Sequence, residues 1–299
     1  MTLEEGVAPY QEDYGTDADP GAFPRTIRHG GGETLLESKP ERVVCLELGT
    51  IDTMLELGMT PVGIVEPSLL PFTAEQEALL ADVPRVETGE EVDLEAIIAA
   101  QADLVMADLG TEDQLSQIAP TVLLHRAGSG QVWREVFMMT VLSLGEEERG
   151  AAVVQRYEER IRKLNAALPT PRPSVSFIRV QSDSLRYMLR ANFVGRILTD
   201  LGFPRPEAQN VDDFIFLNMS LETLGDYADA NLIVVATDKG DEAKAFAQQM
   251  LESPIWQTLD AVKNDRVFLV DSATWIGGVG YGGAHRVLDD IATYFQIAE

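Results

Sequence analysis

The sequence predicts an α/β protein of two lobes of similar plan, each on a central, mostly parallel sheet, joined by one long α-helix. Three observations predict it. From residue 42, short apolar strands alternate with helical patterns, as parallel βαβ units do. The alternation stops at a charged helical stretch, residues 146–168, and then restarts. One short unit is also written twice, "DLEAIIAAQADLVM" at 93–106 and "SLETLGDYADANLIVV" at 220–235. Each copy has a polar cap candidate, a Leu-Glu pair, a small helix and an apolar run. At 299 residues and 45% apolar content, the chain can fill two cores of ordinary size.

Residues 1–25 are polar, acidic and loop-like, with Pro9, Gly15, Pro20, Gly21 and Pro24. They read as a flexible tail and lack the apolar segment of a secretory leader. The N-terminal lobe is expected over 26–145. In it "RVVCLEL" reads as a strand, "TIDTMLELG" as a helix ending on Gly58, and "TPVGIV" as a strand. "DLEAIIAAQ" reads as a helix, "DLVMA" as a strand, "TEDQLSQIA" as a helix and "TVLLH" as a strand. Residues 146–168 form the connecting helix, with acids at its start and bases toward its end, as the helix dipole favours. About 23 residues of helix span roughly 35 Å, and "PTPRP" stops it. The C-terminal lobe is expected over 169–299. Its strands are "SVSFIRV", "ANLIVVA" and "RVFLVD"; its helices are "FVGRILTDLG", "LETLGDYA", "AFAQQMLES" and a final "GGAHRVLDDIATYFQ".

The formal net charge of −26 argues against nucleic acid as a partner, because no basic stripe could neutralise phosphates. Five lysines stand beside eighteen arginines, so several arginines in one pocket would be placed against the trend. The single cysteine, Cys45, cannot form an internal disulfide and reads as a small buried hydrophobe. With His29, His125 and His285 it makes a poor inventory for a transition-metal site, so no metal ligands are assigned. No apolar run reaches the roughly 18 residues of a membrane span. No P-loop, H-E-x-x-H, C-x-x-C or G-x-S-x-G is present, so no catalytic residues are assigned and an enzyme is disfavoured. "GVGYGG" matches G-x-G-x-x-G, but "RVFLVD" ends about seven residues too early for a dinucleotide turn. It reads instead as a glycine-rich loop opening the last helix.

Helices that follow strand C-termini place their N-terminal ends on the edge where open α/β sheets bind ligands. Glu95 and Glu222 hold matched first-turn positions there. A first-turn glutamate complements the helix dipole; its recurrence in both lobes leaves a second role open. Arg179, Arg186 and Tyr187 cluster around the first strand of the second lobe. Arg126 and Trp133 follow a strand of the first lobe, and Trp275 follows the last strand. Each arginine is either a surface ion-pair partner or a ligand group, and each tryptophan either core or site. Arg179 lies on an apolar strand, where an unpaired charge is costly.

The segments "KPERVVCLELGTIDTMLELGMTPVGIVEP", "VDLEAIIAAQADLVM", "QLSQIAPTV", "SLETLGDYADANLIVV", "SPIWQTLDAVKNDRVFLVDSATW" and "VLDDI" cover nearly all of residues 39–291. Through them the chain resembles the iron-siderophore substrate-binding proteins of bacterial ABC importers, the class with a rigid inter-lobe helix that includes vitamin B12- and haem-binding proteins. The resemblance implies two Rossmann-like lobes with a ligand clasped between them. It implies an exported monomer, in the periplasm or on the outer face of the cytoplasmic membrane, with a lipid anchor ahead of residue 1 left open. It implies a ferric siderophore as ligand, iron(III) arriving only within it and no resident cofactor. Arg179, Arg186, Tyr187 and Trp275 are the matching ligand candidates, with Arg126 and Trp133 beside them. Glu95 and Glu222 are implied to dock onto arginines of the two permease subunits. The alternatives are a corrinoid or haem receptor of the same class, a two-lobed enzyme on a nucleotide-type substrate, and a scaffold that kept the fold without a ligand.

Overall fold

The computed structural model describes residues 14–66, 72–88, 92–108, 112–124, 133–211 and 217–298. The chain divides into two compact units, Met1–Glu158 with Gly278–Gly283, and Glu159–Gly277 with Ala284–Glu299.

The N-terminal unit opens with an antiparallel hairpin, β1 (Arg25–His29) and β2 (Gly32–Leu36). Its main sheet is wholly parallel, in the order β5-β4-β3-β6-β7. The strands are β3 (Val43–Cys45), β4 (Gly63–Val65), β5 (Arg85–Val86), β6 (Leu104–Ala107) and β7 (Thr121–Leu123). β3, β6 and β7 are buried at every position, as parallel strands covered on both faces are. Helices α1 (Leu48–Glu56), α2 (Ala74–Leu80), α3 (Leu94–Ala99) and α4 (Glu112–Leu115) fall between the strands. One apolar cluster joins Val44, Val86 and Val105 of the sheet to Ile97 and Leu115 of the helices. Cys45, on β3, is fully buried against Met54, and burial, reinforced by Glu47, pushes its thiol pKa well up.

His29 pins the hairpin to the edge of the sheet. Its Nδ1 accepts from the backbone N–H groups of Gly31 (3.1 Å) and Leu123 (3.3 Å). The Thr34 hydroxyl donates to the Thr121 carbonyl at 2.6 Å, so His29 Nε2 carries the proton and donates to Thr34 Oγ1 at 2.8 Å. This network needs a neutral imidazole, and burial lowers the His29 pKa from its ordinary 6.5. Below that value the unfolded chain binds the proton more readily than the folded one. The stability held by His29 is therefore complete above the ordinary histidine range and is lost as pH falls through it. Urea midpoints of the native chain and of His29→Gln are expected to differ most near neutral pH and to converge toward pH 5; a gap independent of pH would refute this.

Two helices follow β7, α5 (Trp133–Leu144) and α6 (Glu147–Ala167). α6 is the helix expected over 146–168, and the division between units falls within it. Acids Glu147 and Glu148 open α6. At its other end the Arg172 guanidinium donates to the carbonyls of Asn165 (2.7 Å), Leu168 (2.9 Å), Pro169 (2.6 Å) and Leu201 (3.1 Å). It thus satisfies acceptors that a helix end leaves open.

The C-terminal unit has a mixed sheet in the order β10-β9-β8-β11-β12. β8 (Val175–Val180), β11 (Leu232–Thr237) and β12 (Val267–Asp271) are parallel; β9 (Leu185–Tyr187) and β10 (Leu217–Met219) pair antiparallel. Its helices are α7 (Phe193–Asp200), α8 (Leu224–Tyr227), α9 (Asp241–Glu252), α10 (Asp260–Lys263), α11 (Ser272–Gly277) and α12 (Tyr281–Tyr294). α12 begins inside the glycine-rich stretch 278–283, whose last three residues form its first turn, and α11 separates that stretch from β12, so it is not the turn of a dinucleotide site. Within the N-terminal unit, buried Asp52 of α1 accepts from the backbone N–H groups of Gly282 (2.9 Å) and Gly283 (3.1 Å). These are among the donors a helix start leaves unpaired, and the carboxylate also meets the positive end of the helix dipole.

Candidate functional site

The C-terminal ends of β8 and β11 in the C-terminal unit gather the charged residues read from the sequence. β8 and β9 form a tight hairpin, closed by the Gln181 N–H donating to the Ser184 carbonyl at 2.9 Å. Their register sets Arg179 opposite Arg186, and Ile178 opposite Tyr187. Residues opposed across an antiparallel pair share a face, with Cβ atoms about 4.5–5.5 Å apart, and like charges so placed destabilise the sheet. The structure therefore brings Arg179 and Arg186 together and puts Tyr187 on the other face.

A carboxylate answers the local excess of charge. Arg179 Nε donates to Asp238 Oδ1, and its Nη2 to Asp238 Oδ2, both at 2.8 Å. The two side chains are 18% and 21% exposed, and Gln181 Nε2 reaches Asp238 Oδ2 at 3.5 Å. Asp238 follows β11, whose Ala236 lies in register with Arg179. Bidentate guanidinium–carboxylate pairing is strong and directional. It also presents an acid that competes with any anionic ligand for the same guanidinium.

The aromatic candidates stand elsewhere. Tyr187 is fully buried in the cluster of Ile178, Val180, Leu185, Ile233 and Val235. Trp275, on α11, is 1% exposed. It packs against Phe177 (5.6 Å between ring centres) and Phe268 (6.0 Å), and its Nε1–H donates to Asp290 Oδ2 at 2.7 Å. Burial raises the Asp290 pKa, and that hydrogen bond opposes the rise. Trp133 opens α5 at 2% exposure, edge-on to Tyr157 (6.0 Å) and Tyr281 (4.8 Å). All three rings are buried, and each packs against other rings or apolar side chains. Arg126 lies outside the described residues.

The repeated glutamates both lie at C-terminal strand edges. Glu95 is exposed in the first turn of α3, which follows β5 and is capped by Asp93, whose Oδ1 accepts from the Ala96 N–H at 3.0 Å. Glu222 is exposed in a 3-10 turn, Leu221–Thr223, after β10, with α8 directly behind. A hydrogen bond from Ser220, with its own backbone N–H, holds the Glu222 carboxyl below its usual pKa. The echo is thus one of position; the second copy starts as a 3-10 turn rather than an α-helix.

Asp238 was not found by sequence reasoning, although a signal existed. A guanidinium within an apolar strand needs a counter-charge, and the acid ending the next parallel strand is an obvious supplier. Among the described residues no group of three His, Cys, Asp or Glu side chains is placed to hold a metal ion, and no helix is long and apolar enough to cross a membrane.

The family described as periplasmic binding protein matches residues 43–274. The achromobactin-binding periplasmic protein of Dickeya dadantii is 29% identical over 274 residues, covering 87% of this chain and 88% of that protein. The Fe(3+)-citrate-binding protein YfmC of Bacillus subtilis is 28% identical over 279 residues, covering 91% and 86%. Staphylococcus aureus SirA, solved in complex with staphyloferrin B, superposes with a TM-score of 0.78 at 27% identity, covering 91% of this chain and 99% of its own.

Proposed function

The chain belongs to the periplasmic binding protein family, and from that premise we propose that it is an extracytoplasmic receptor that captures a ferric siderophore and delivers it to an ABC permease. The single observation that carries the ligand class is the opposition of Arg179 and Arg186 at the strand edge. It suits an anionic, oxygen-rich complex. Relatives whose names specify Fe(3+)-citrate and achromobactin support the same reading. Iron(III) arrives as cargo within the siderophore, no resident cofactor is required, and the protein acts by binding rather than by catalysis. It works as a monomer at the outer face of the cytoplasmic membrane or in the periplasm. Glu95 and Glu222 are its contacts with the two permease subunits.

The test is a fluorescence titration with ferric citrate and with ferric carboxylate, catecholate and hydroxamate siderophores, using haem and a corrinoid as controls read by visible absorption. Charge-assisted hydrogen bonds contribute about 1.5–3 kcal/mol. Arg179→Ala and Arg186→Ala are each therefore expected to weaken the best ligand by roughly ten- to hundredfold. Asp238→Asn removes the competing acid and is expected to tighten binding of the same ligand. Unchanged affinity in both arginine variants would return them to ordinary ion pairing. Tight binding of haem or a corrinoid alone would overturn the siderophore assignment.

A further inference from the structure

The C-terminal unit has a recess at the N-terminal ends of its parallel strands and so on the sheet edge opposite Arg179. Its cavity is about 480 Å³ and is bordered by Leu232, the first residue of β11, and by Arg266, just before β12. That volume is in the range that encloses a small organic molecule. Its lining includes Pro169, Pro171 and Pro173, from the segment between α6 and β8, and Tyr294 and Phe295, at the end of α12. The two aromatic rings are held by their neighbours. Phe295 stacks on Phe203 at 5.8 Å, Tyr294 lies 4.8 Å from Phe268, and the two rings meet edge to face at 5.1 Å.

The lining contains two arginines and no carboxylate, in a chain of net charge −26. The donors of Arg172 are spent on the carbonyls that close α6, so only its charge reaches the cavity. The Arg266 guanidinium makes no hydrogen bond or ion pair among the described residues and keeps its whole fork. Burial raises the pKa of the Tyr294 phenol, with Arg266 opposing, so at neutral pH it holds its proton as a donor. A bare inorganic anion would leave the proline and aromatic rings unused, and a neutral apolar molecule would leave the guanidinium unused.

We propose that this recess binds a small amphipathic organic anion, a carboxylate on a flat apolar body. The Arg266 fork takes the carboxylate, and the body packs on the proline and aromatic rings of the lining. Calorimetric titration of the full chain with 2-naphthoate and with 2-naphthamide tests this. Naphthoate is expected to bind with a Kd of about 1 mM or tighter, and the amide about tenfold more weakly or worse. Arg266→Gln, at an exposed position, is expected to weaken naphthoate by a similar factor without shifting the melting temperature. Binding is also expected to persist in Arg179→Ala and in protein saturated with ferric citrate. No detectable naphthoate binding, equal affinity for the amide, indifference to Arg266→Gln, or displacement by ferric citrate would each overturn the proposal. The first three of these outcomes say nothing of whether the strand edge at Arg179 binds a siderophore, so the two readings fail separately.

Discussion

Siderophore-dependent iron uptake is expected to fall by roughly tenfold or more when Glu95→Gln and Glu222→Gln are combined, because desolvated charge pairs at an interface couple strongly whereas rim pairs do not. Each single variant is expected to lose less, since the partner site still engages. Neither carboxylate is needed to finish its own helix. Asp93 already accepts from the first turn of α3, and Glu222 is itself a hydrogen-bond acceptor for Ser220. Ile98, 58% exposed and one turn beyond Glu95, adds an apolar contact beside the charge. Both variants should therefore fold, and both should bind ligand as the native protein does. The measurement is radiolabelled iron uptake in cells expressing each variant to equal levels, with affinity checked on purified protein. Full uptake by the double variant would end the docking assignment, and the two Leu-Glu units would then mark only a repeated architecture.

Asp52→Ala is expected to destabilise the protein by about 3 kcal/mol or more, since it strands two buried N–H groups that each cost roughly 1–3 kcal/mol when unpaired. Gly283→Ala should be comparably damaging for a steric reason. A Cβ there would lie 1.7 Å from the Gly278 carbonyl oxygen, and backbone cannot yield as a side chain does. At Gly280 the clash would be with Asp52 itself, at 2.1 Å. Gly225, in α8, provides the control: nothing lies within 4 Å of its hypothetical Cβ, so alanine there should be neutral or slightly stabilising. Urea denaturation with unchanged m-values reads all three. Equal midpoints for Asp52→Ala and the native chain would show that water or another acceptor replaces the buried contact.

The two α/β units and α6 were legible because periodicity and stop signals act locally. β11 is an unbroken apolar run, and Pro169 ends the helical pattern where "PTPRP" says it must. Other elements were hidden for identifiable reasons. "WREVFMMTVLSL" is buried on nearly every side as α5, so it lacks the amphipathic period that distinguishes helix from strand. The β1–β2 hairpin is half polar; it is a strand pair because His29 and Gly30 fasten it to β7, which is a tertiary fact. At the site, strand alternation alone separates Arg186 from Tyr187, and the sequence reading overlooked that consequence. The pairing of Arg179 with Asp238 depends on the register between β8 and β11, which no local pattern encodes.

The six residues Gly278–Gly283 belong to the N-terminal unit although residues 159–277 of the other unit precede them in the chain. On the ribosome, Asp52 and the rest of that unit wait for them while the whole C-terminal sheet is synthesised. At roughly 5–20 residues per second that delay is several seconds or more. The first lobe therefore cannot close its final contacts early, and that lobe stays incompletely folded until α12 begins. A gene cut after the codon for Glu158 would encode a lobe permanently short of its last piece.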